Sequence, residues 1–420
     1  MTRRPLGRPT VSDVDPDGDG DALVVGAGPV GMSAALALDA RGVPVSILEA
    51  DSEDHDRPGS RADYVHGATL EILEAVHPGL GKQIADAGLI PPTRRTFWRG
   101  REVYSRTYSN PGGSGYLPHS TRIPQTEVEA FLLSALDERG IDVRWDSAVE
   151  AVEADPDGVH VETDDGRTIE APYLVGADGG GSTVRKAIGV EMSGTESTNT
   201  FVIIDVAEVE ADPRPSELHF HYGHPGVGRN VLVAPFAGGW RIDVTCLPSD
   251  DPERFTTDER VREVVAATAG PQYADRVTWV STYRFKQVTA DRFVDEYRRV
   301  LLAGDAAHLF APFGGRGMNS GVHDADAAAS AVATAVRAET DAVARREVGN
   351  YAALREAAAD WNEYASGKAL EHIYSDRLLP NAKKRAAAEL ARVWEPAGKW
   401  LDTAHFGPHA GPPVPTEGKF

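Results

Sequence analysis

The apolar positions of this 420-residue chain change period along its length, and each change predicts a different element. Ala22–Val25 is a short continuous apolar run, the pattern of a strand buried on both faces of a parallel sheet. After a glycine turn, Val30, Ala34, Leu36 and Leu38 recur at roughly helical spacing. Gly42 closes that helix, and Val43–Leu48 reads as a second strand, completing a β-α-β unit. An α/β pattern continues to about Gly189. From Thr200 to about Phe285 apolar and polar residues alternate as in half-buried strands, with turns at "ADPRPS" and "GHPGVG". The stretch "ELHFHYGHPGVGRNVLVAPFAGGWRIDVTC" predicts a hairpin or meander. Arg299–Ala303 is again a buried strand, and helices follow to about Trp400.

The turn in the first unit is Gly26-x-Gly28-x-x-Gly31, which opens directly into the helix. Each glycine has a mechanical reason: a tight turn, approach of a pyrophosphate to the backbone, and close helix-to-strand packing. The helix N-terminus offers unpaired N–H groups and a favourable dipole to phosphates. Glu49 ends the second strand about 20 residues on, where an acid holds a ribose diol. The unit predicts dinucleotide binding and leaves NAD, NADP and FAD open.

A net charge of −21 argues against nucleic acid or an anionic membrane as partner. The single cysteine, Cys246, excludes an intramolecular disulfide and reads as a small buried strand residue. No apolar run reaches the roughly 18–20 residues of a membrane helix, and no signal-peptide core is evident near the start. A cytoplasmic monomer or homodimer is expected. Residues 1–20, polar and rich in Pro, Gly and Asp, are expected to be a disordered leader, and residues 401–420 an irregular tail.

Two later segments narrow the nucleotide. "YLVGADGGGSTVRKAIGV" carries a buried strand, then Asp178-Gly179, a glycine turn and a cationic helix. "RVLLAGDAAHLFAPFGGRGMNSGVHDADAAASAV" carries a strand ending in Gly304-Asp305, a loop with Pro312 and several glycines, and an Ala-rich helix starting near Met318. An acid at a strand end can hold a sugar hydroxyl, and closely spaced glycines let a flat ring lie against backbone N–H groups.

With these three motifs in order, the chain resembles the FAD-dependent aromatic hydroxylases, the single-component flavin monooxygenases typified by para-hydroxybenzoate hydroxylase. The resemblance implies FAD, with its diphosphate on Gly26, Gly28, Pro29, Val30 and Gly31. It implies the adenosine ribose at Glu49, with Ala50 also cofactor-binding, and adenine against the backbone of Val149. It places the ribityl chain on Asp305 and the flavin pyrimidine edge against the Gly315–Asn319 backbone, with Gly315, Gly317, Met318 and Asn319, and it also makes Asp178, Gly304 and Pro312 cofactor-binding. Arg61, in "GSRADYVHGATLEIL", matches the family's flavin-contacting arginine, and Gln125 its glutamine beside the ring. Where relatives often carry arginine before "TLEIL", this chain has Ala68. About 40 residues follow Arg377, too few for the thioredoxin-like domain of the phenol and polyketide hydroxylases, so the match is to a shorter architecture.

The expected fold is α/β (α+β): a Rossmann-like FAD-binding domain, a β-sheet substrate domain and C-terminal helices. The FAD domain is expected over 21–92, 120–195 and 297–345. The sheet domain is expected over 93–119 and 196–296, and the helices over 346–400. With only one GxGxxG, NADPH or NADH is expected as a transient co-substrate. The implied reaction is NAD(P)H- and O₂-dependent hydroxylation of a phenolic or polyketide-like aromatic through a flavin C4a-hydroperoxide. Epoxidation or oxidative inactivation of a polycyclic compound is a rival. A non-catalytic dinucleotide-fold escort protein is another, disfavoured by GDAAH and the glycine run.

Catalytic candidates lie on the strands after Thr200. Alternation puts His219 and His221 on one face and Phe220, Tyr222 and His224 on the other. Tyr222 is weighed as a pocket hydroxyl against plain packing. Arg241, in "GGWRIDV", is weighed as a ring-adjacent arginine against an ion pair, with Tyr283 next in turn. The H-x-H pair lacks an evident third ligand, so no metal is expected. His308 reads as structural. "TTDERVREVVAATAG" predicts a helix capped through a Thr256-x-x-Glu259 box.

Overall fold

The structure, a computed structural model, describes residues 20–55, 59–110, 112–374 and 378–408. The expected leader up to residue 19 and the last twelve residues of the expected tail lie outside the described residues.

Five parallel strands form the first sheet, in the order Val300–Leu302, Tyr173–Gly176, Ala22–Val25, Val45–Leu48, Val143–Arg144. Their side chains are nearly all buried, which is why they read as continuous apolar runs rather than alternating ones. The second strand starts at Val45, after Pro44, which has no N–H to give to a ladder. Helix Pro29–Asp39 begins directly at the glycine turn, with proline in its first turn. It packs against helix Arg316–Val336, and Val30 fills the space between them. A Cβ on Gly304 or Gly321 would come within 2.9 or 2.4 Å of the Val30 side chain.

An eight-stranded mixed sheet is the second large layer. It is built from Thr93–Trp98, Arg101–Thr107, Met192–Ala207, Glu217–Tyr222, Val231–Phe236, Gly239–Cys246, Val277–Ala290 and His308–Leu309. The predicted meander is present, with Glu217–Tyr222, Val231–Phe236 and Gly239–Cys246 antiparallel in sequence. The long strand Met192–Ala207 begins eight residues before the alternation does. Its first residues, Ser193–Glu196, are exposed and polar, so burial impressed no period on them. His308–Leu309 pairs with Val288–Thr289, so the sheet is continuous with the Gly304-Asp305 segment.

One face of this sheet carries Val231, Val233, Trp240, Ile242, Val244 and Cys246 against helix Asp258–Thr268, with Cys246 fully buried and unpaired. That helix is capped by Thr257, whose hydroxyl accepts from the Arg260 N–H, whereas Thr256 bonds the Glu253 carbonyl. The expected Thr256 box is therefore one residue out, because a preceding 3₁₀ turn occupies Pro252–Phe255. Helices Asp341–Tyr374, Leu378–Leu390 and Glu395–Ala404 follow. The last one extends into the stretch expected to be irregular, held by Leu401 and Asp402, which are fully buried. Among the described residues no helix is long and apolar enough to cross a membrane.

Candidate functional site

Between the parallel sheet and the other face of the large sheet lies one continuous cleft of about 2460 Å³. Single-ligand pockets hold roughly 300–1,000 Å³, so the cleft has room for a dinucleotide and a further molecule.

At one end Gly26, Gly28, Pro29 and Val30 line it, with Glu49 and Ala50 beside them and Val149 opposite. Gly31 stands behind: a Cβ there would sit 1.8 Å from the Gly26 carbonyl oxygen, so it permits packing and does not face the cleft. A Cβ on Gly28 would meet no protein atom and would project into the space in front of the helix. No side chain caps this N-terminus. The Glu49 carboxylate accepts from the Ala27 N–H at 2.5 Å and the Asp51 N–H at 3.0 Å. It is thus fixed at the strand end with lone pairs to spare for a diol.

In the middle, Asp305 projects into the cleft from the end of Val300–Leu302. Enclosure by the cleft walls raises its pKa, and His308 nearby works against that. Gly304, behind it, gives its N–H to Asp324 Oδ2 at 3.0 Å. The same oxygen is 2.6 Å from His308 Nε2, and Asp324 Oδ1 accepts from Arg355 Nε at 2.5 Å. Burial opposes the charge on Asp324, but His308 and Arg355 outweigh it and lower the pKa. An ionised Asp324 only accepts, so His308 Nε2 carries the proton. His308 is structural, as its sequence context suggested. Asp178 caps helix Thr183–Ala187 by accepting from the Ser182 hydroxyl and the Val184 N–H, while its backbone lines the cleft beside Gly179.

At the far end Pro312, Gly315, Gly317, Met318 and Asn319 line the cleft at the N-terminus of Arg316–Val336. Gly315 is the N-cap at φ 65°, a left-handed conformation suited to glycine, and it has no side chain to cover the helix amides. Asn319 is a staple. Its amide donates to the Tyr64 and Gly315 carbonyls and its oxygen accepts from the His66 N–H and the Thr69 hydroxyl. Gln125 accepts from the Ala62 N–H at 3.4 Å, and Arg61 is exposed at φ 50°.

The sheet wall is formed by Phe201, Ile203, Leu218, Phe220, Leu232, Trp279, Tyr283 and Phe285, with Phe313 from the glycine loop. Phe201, Phe285 and Phe313 pack as a cluster with centroids 4.6–5.9 Å apart. Tyr283 faces the cleft, where desolvation and the charge of Asp305 raise its pKa. Arg241 lines this wall but is 6% exposed and committed. Its guanidinium donates to the Ser60 hydroxyl at 2.6 Å and to the Arg61 carbonyl, and lies 3.4 Å from Asp205 and 3.7 Å from Asp63. It therefore holds the Ser60–Asp63 loop in place.

Tyr222 lies elsewhere. It shares the face of Phe220 as expected, but one residue pair further along, under the C-terminal helices. Its hydroxyl donates to the Leu401 carbonyl at 2.7 Å and pairs with His372 Nε2 at 2.8 Å. Of the two catalytic candidates, the structure brings only Arg241 to the cleft. His219 and His221 sit on the opposite face, and His224 joins them: its ring is 4.7 Å from His221, because Gly223 turns the chain at φ 66°. Burial and the neighbouring histidines push His221 down to about 3. Among the described residues no cluster of His, Cys, Asp or Glu could hold a metal ion.

Sequence reasoning passed over Asp63, Arg122, Asp205, Asp243 and Asp324. The first four meet at the base of the wall: Arg122 pairs with Asp63 and donates to the Pro235 carbonyl. Asp243 had a visible signal, since "WRIDV" places two charges at i and i+2 in an otherwise apolar strand, on the same face.

Two uncapped helix N-termini, a glycine whose Cβ would enter the open space before the first of them, and carboxylates at Glu49 and Asp305 fit the donor and acceptor needs of FAD. The fold and cleft define a dinucleotide-binding flavoprotein architecture. A family model for the FAD binding domain matches residues 19–356, and the chain belongs to that family. It is 33% identical over 318 residues to rifampicin monooxygenase from Rhodococcus hoagii, covering 73% of this chain and 62% of the relative. It is 35% identical over 355 residues to 6-methylpretetramide 4-monooxygenase from Streptomyces rimosus, covering 81% and 60%. The chain thus spans about three fifths of the length of these relatives. The fold matches p-nitrophenol 4-monooxygenase PnpA from Pseudomonas putida DLL-E4 with TM-score 0.75 at 24% identity, over 94% of this chain and 99% of that one.

Proposed function

We propose that this protein is an FAD-dependent monooxygenase that uses NADPH or NADH and O₂ to hydroxylate a phenolic or polyketide-like aromatic compound. One observation carries the reading: a single cleft joins the two uncapped helix N-termini and Asp305 to a wall of aromatic and aliphatic side chains. The named activities of the relatives from R. hoagii and S. rimosus agree with it.

When bound, FAD supplies electron transfer from the nicotinamide and reaction with O₂. The chain does the rest. Amides at the start of Pro29–Asp39 would hold the diphosphate, Glu49 the ribose diol, and Asp305 the ribityl hydroxyls. The start of Arg316–Val336 favours negative charge by up to about 2 kcal/mol and would hold the pyrimidine edge of the ring. Phe201, Phe285 and Phe313 exclude water and give a flat substrate an apolar surface. Arg241 positions the Ser60–Asp63 loop, from which Arg61 reaches the cleft.

Anaerobic stopped-flow tests the reading. Flavin reduction by NAD(P)H is expected to be slow in the free enzyme and faster with a phenolic ligand, and O₂ then to yield hydroxylated product. Purification without flavin, or reduction at one rate with every ligand that is turned over, overturns it.

A further inference from the structure

Asp243 lines the cleft wall and makes no hydrogen bond that ties one element to another. Across the sheet its neighbours are Leu232 on one side and Ile203 on the other, both cleft-lining and apolar. Its Oδ1 is buried without a hydrogen-bond partner, and its nearest cation is Arg241, whose Nε is 3.9 Å away. Around it, three carboxylates face two guanidinium groups. Asp63, from the loop before the Tyr64 segment, takes Arg122 directly, and Asp205, on the adjacent strand, takes Arg241 and the Ser60 N–H. Asp243 is the acid left over. A carboxylate with one long ion pair and no hydrogen bond is poorly satisfied in an apolar wall, and its side chain, 20% exposed, is open to a ligand group that would satisfy it.

Resting on the reading of the cleft as an aromatic-substrate site, we propose that Asp243 is the polar anchor of the wall and accepts a hydrogen bond from a hydroxyl of an uncharged aromatic ligand. Apolar neighbours on both sides suit the ring, and the carboxylate suits one donor on its edge. The surplus of negative charge here opposes an aryl carboxylate at the same spot.

Acidity follows from the surroundings. Desolvation raises Asp243 to about 7, Arg241 opposes the rise, Asp63 and Asp205 add to it, and Arg122 opposes it. Tyr374, from the long C-terminal helix, also senses this carboxylate. Above pH 7 the anchor is the charged acceptor, whose hydrogen bonds are roughly twice as strong as neutral ones.

The test uses FAD-loaded enzyme titrated with 2-naphthol and with 2-methoxynaphthalene from pH 5.5 to 8.5, read by the visible flavin spectrum. Wild type is expected to prefer the naphthol by about tenfold or more at pH 8.5, with the preference shrinking through pH 7. In Asp243→Asn the preference should fall about tenfold and lose its pH dependence, with methyl-ether affinity and flavin content unchanged. Equal binding of the two probes by wild type, or a preference that survives in Asp243→Asn, overturns the anchor alone. Failure of both probes to bind overturns the aromatic-site reading together with it.

Discussion

His308 Nε2 lies 2.6 Å from Asp324 Oδ2, and both side chains are completely buried. The pair ties the loop that carries Asp305 to the helix Arg316–Val336, with Arg355 closing the network on Asp324 Oδ1. Removing the charge at Asp324 leaves Arg355 uncompensated, and breaking a buried pair costs about 3–5 kcal/mol. Asp324→Asn is expected to lower the urea midpoint accordingly and to weaken FAD retention. The pKa of Asp324 is depressed, so its contribution is present above the ordinary carboxylate range and is lost as pH falls below about 4. Unfolding curves from pH 3 to 7 check this; a variant as stable as wild type refutes the role.

Asp305→Ala removes an acceptor from the cleft without touching the core. Loss of one or two charge-assisted hydrogen bonds, at about 1.5–3 kcal/mol each, predicts at least tenfold weaker FAD binding. Full flavin content after extensive dialysis contradicts the ribityl assignment.

Two glycine variants separate cofactor from fold. Gly28→Ala places a methyl in the open space before the helix, so the apoprotein should keep its stability while FAD affinity falls. Gly31→Ala forces a Cβ onto the Gly26 carbonyl, so the apoprotein itself should be destabilised by about 1–3 kcal/mol or more. Thermal melts of both apoproteins, with FAD titrations, tell the two apart. A destabilised Gly28→Ala apoprotein would disprove the cradle.

Tyr222→Phe tests the seal of the C-terminal helices. It leaves His372 and the Leu401 carbonyl without their partner, at a cost of about 1–3 kcal/mol. Product formed per NAD(P)H should not change. Unchanged stability with reduced coupling would return Tyr222 to the site.

Asp243 predicts an opposite pH trend to Asp324. Its folded pKa, near 7, lies above the ordinary value, so the folded state holds the proton longer than the unfolded chain. Between about pH 4 and 7 the wild-type apoprotein should lose stability relative to Asp243→Asn as pH rises. Parallel stability profiles for the two proteins contradict the shift.

The glycine-turn segments were legible because their chemistry is local. Gly26 to Glu49, and Gly304 to Asn319, each hold strand, turn and helix within a few dozen consecutive residues, so spacing alone implied the geometry that the structure shows. The meander from Glu217 to Cys246 was legible for the same reason, since alternation records which face each residue takes.

Alternation does not record what covers that face or how far the cover extends. Phe220 and Tyr222 share a face, but helices from beyond residue 341 close over Tyr222 and leave Phe220 at the cleft. The same limit applies to charge. Asp63, Arg122, Asp205, Arg241 and Asp243 come from four separated stretches, and their pairing follows from which side chains reach one another once the sheet stacks on the Ser60 loop. The sequence by itself determined where the glycine turns open into helix N-termini. Only tertiary packing decided which acid was left without a hydrogen bond, because a carboxylate's state depends on neighbours that chain order does not name.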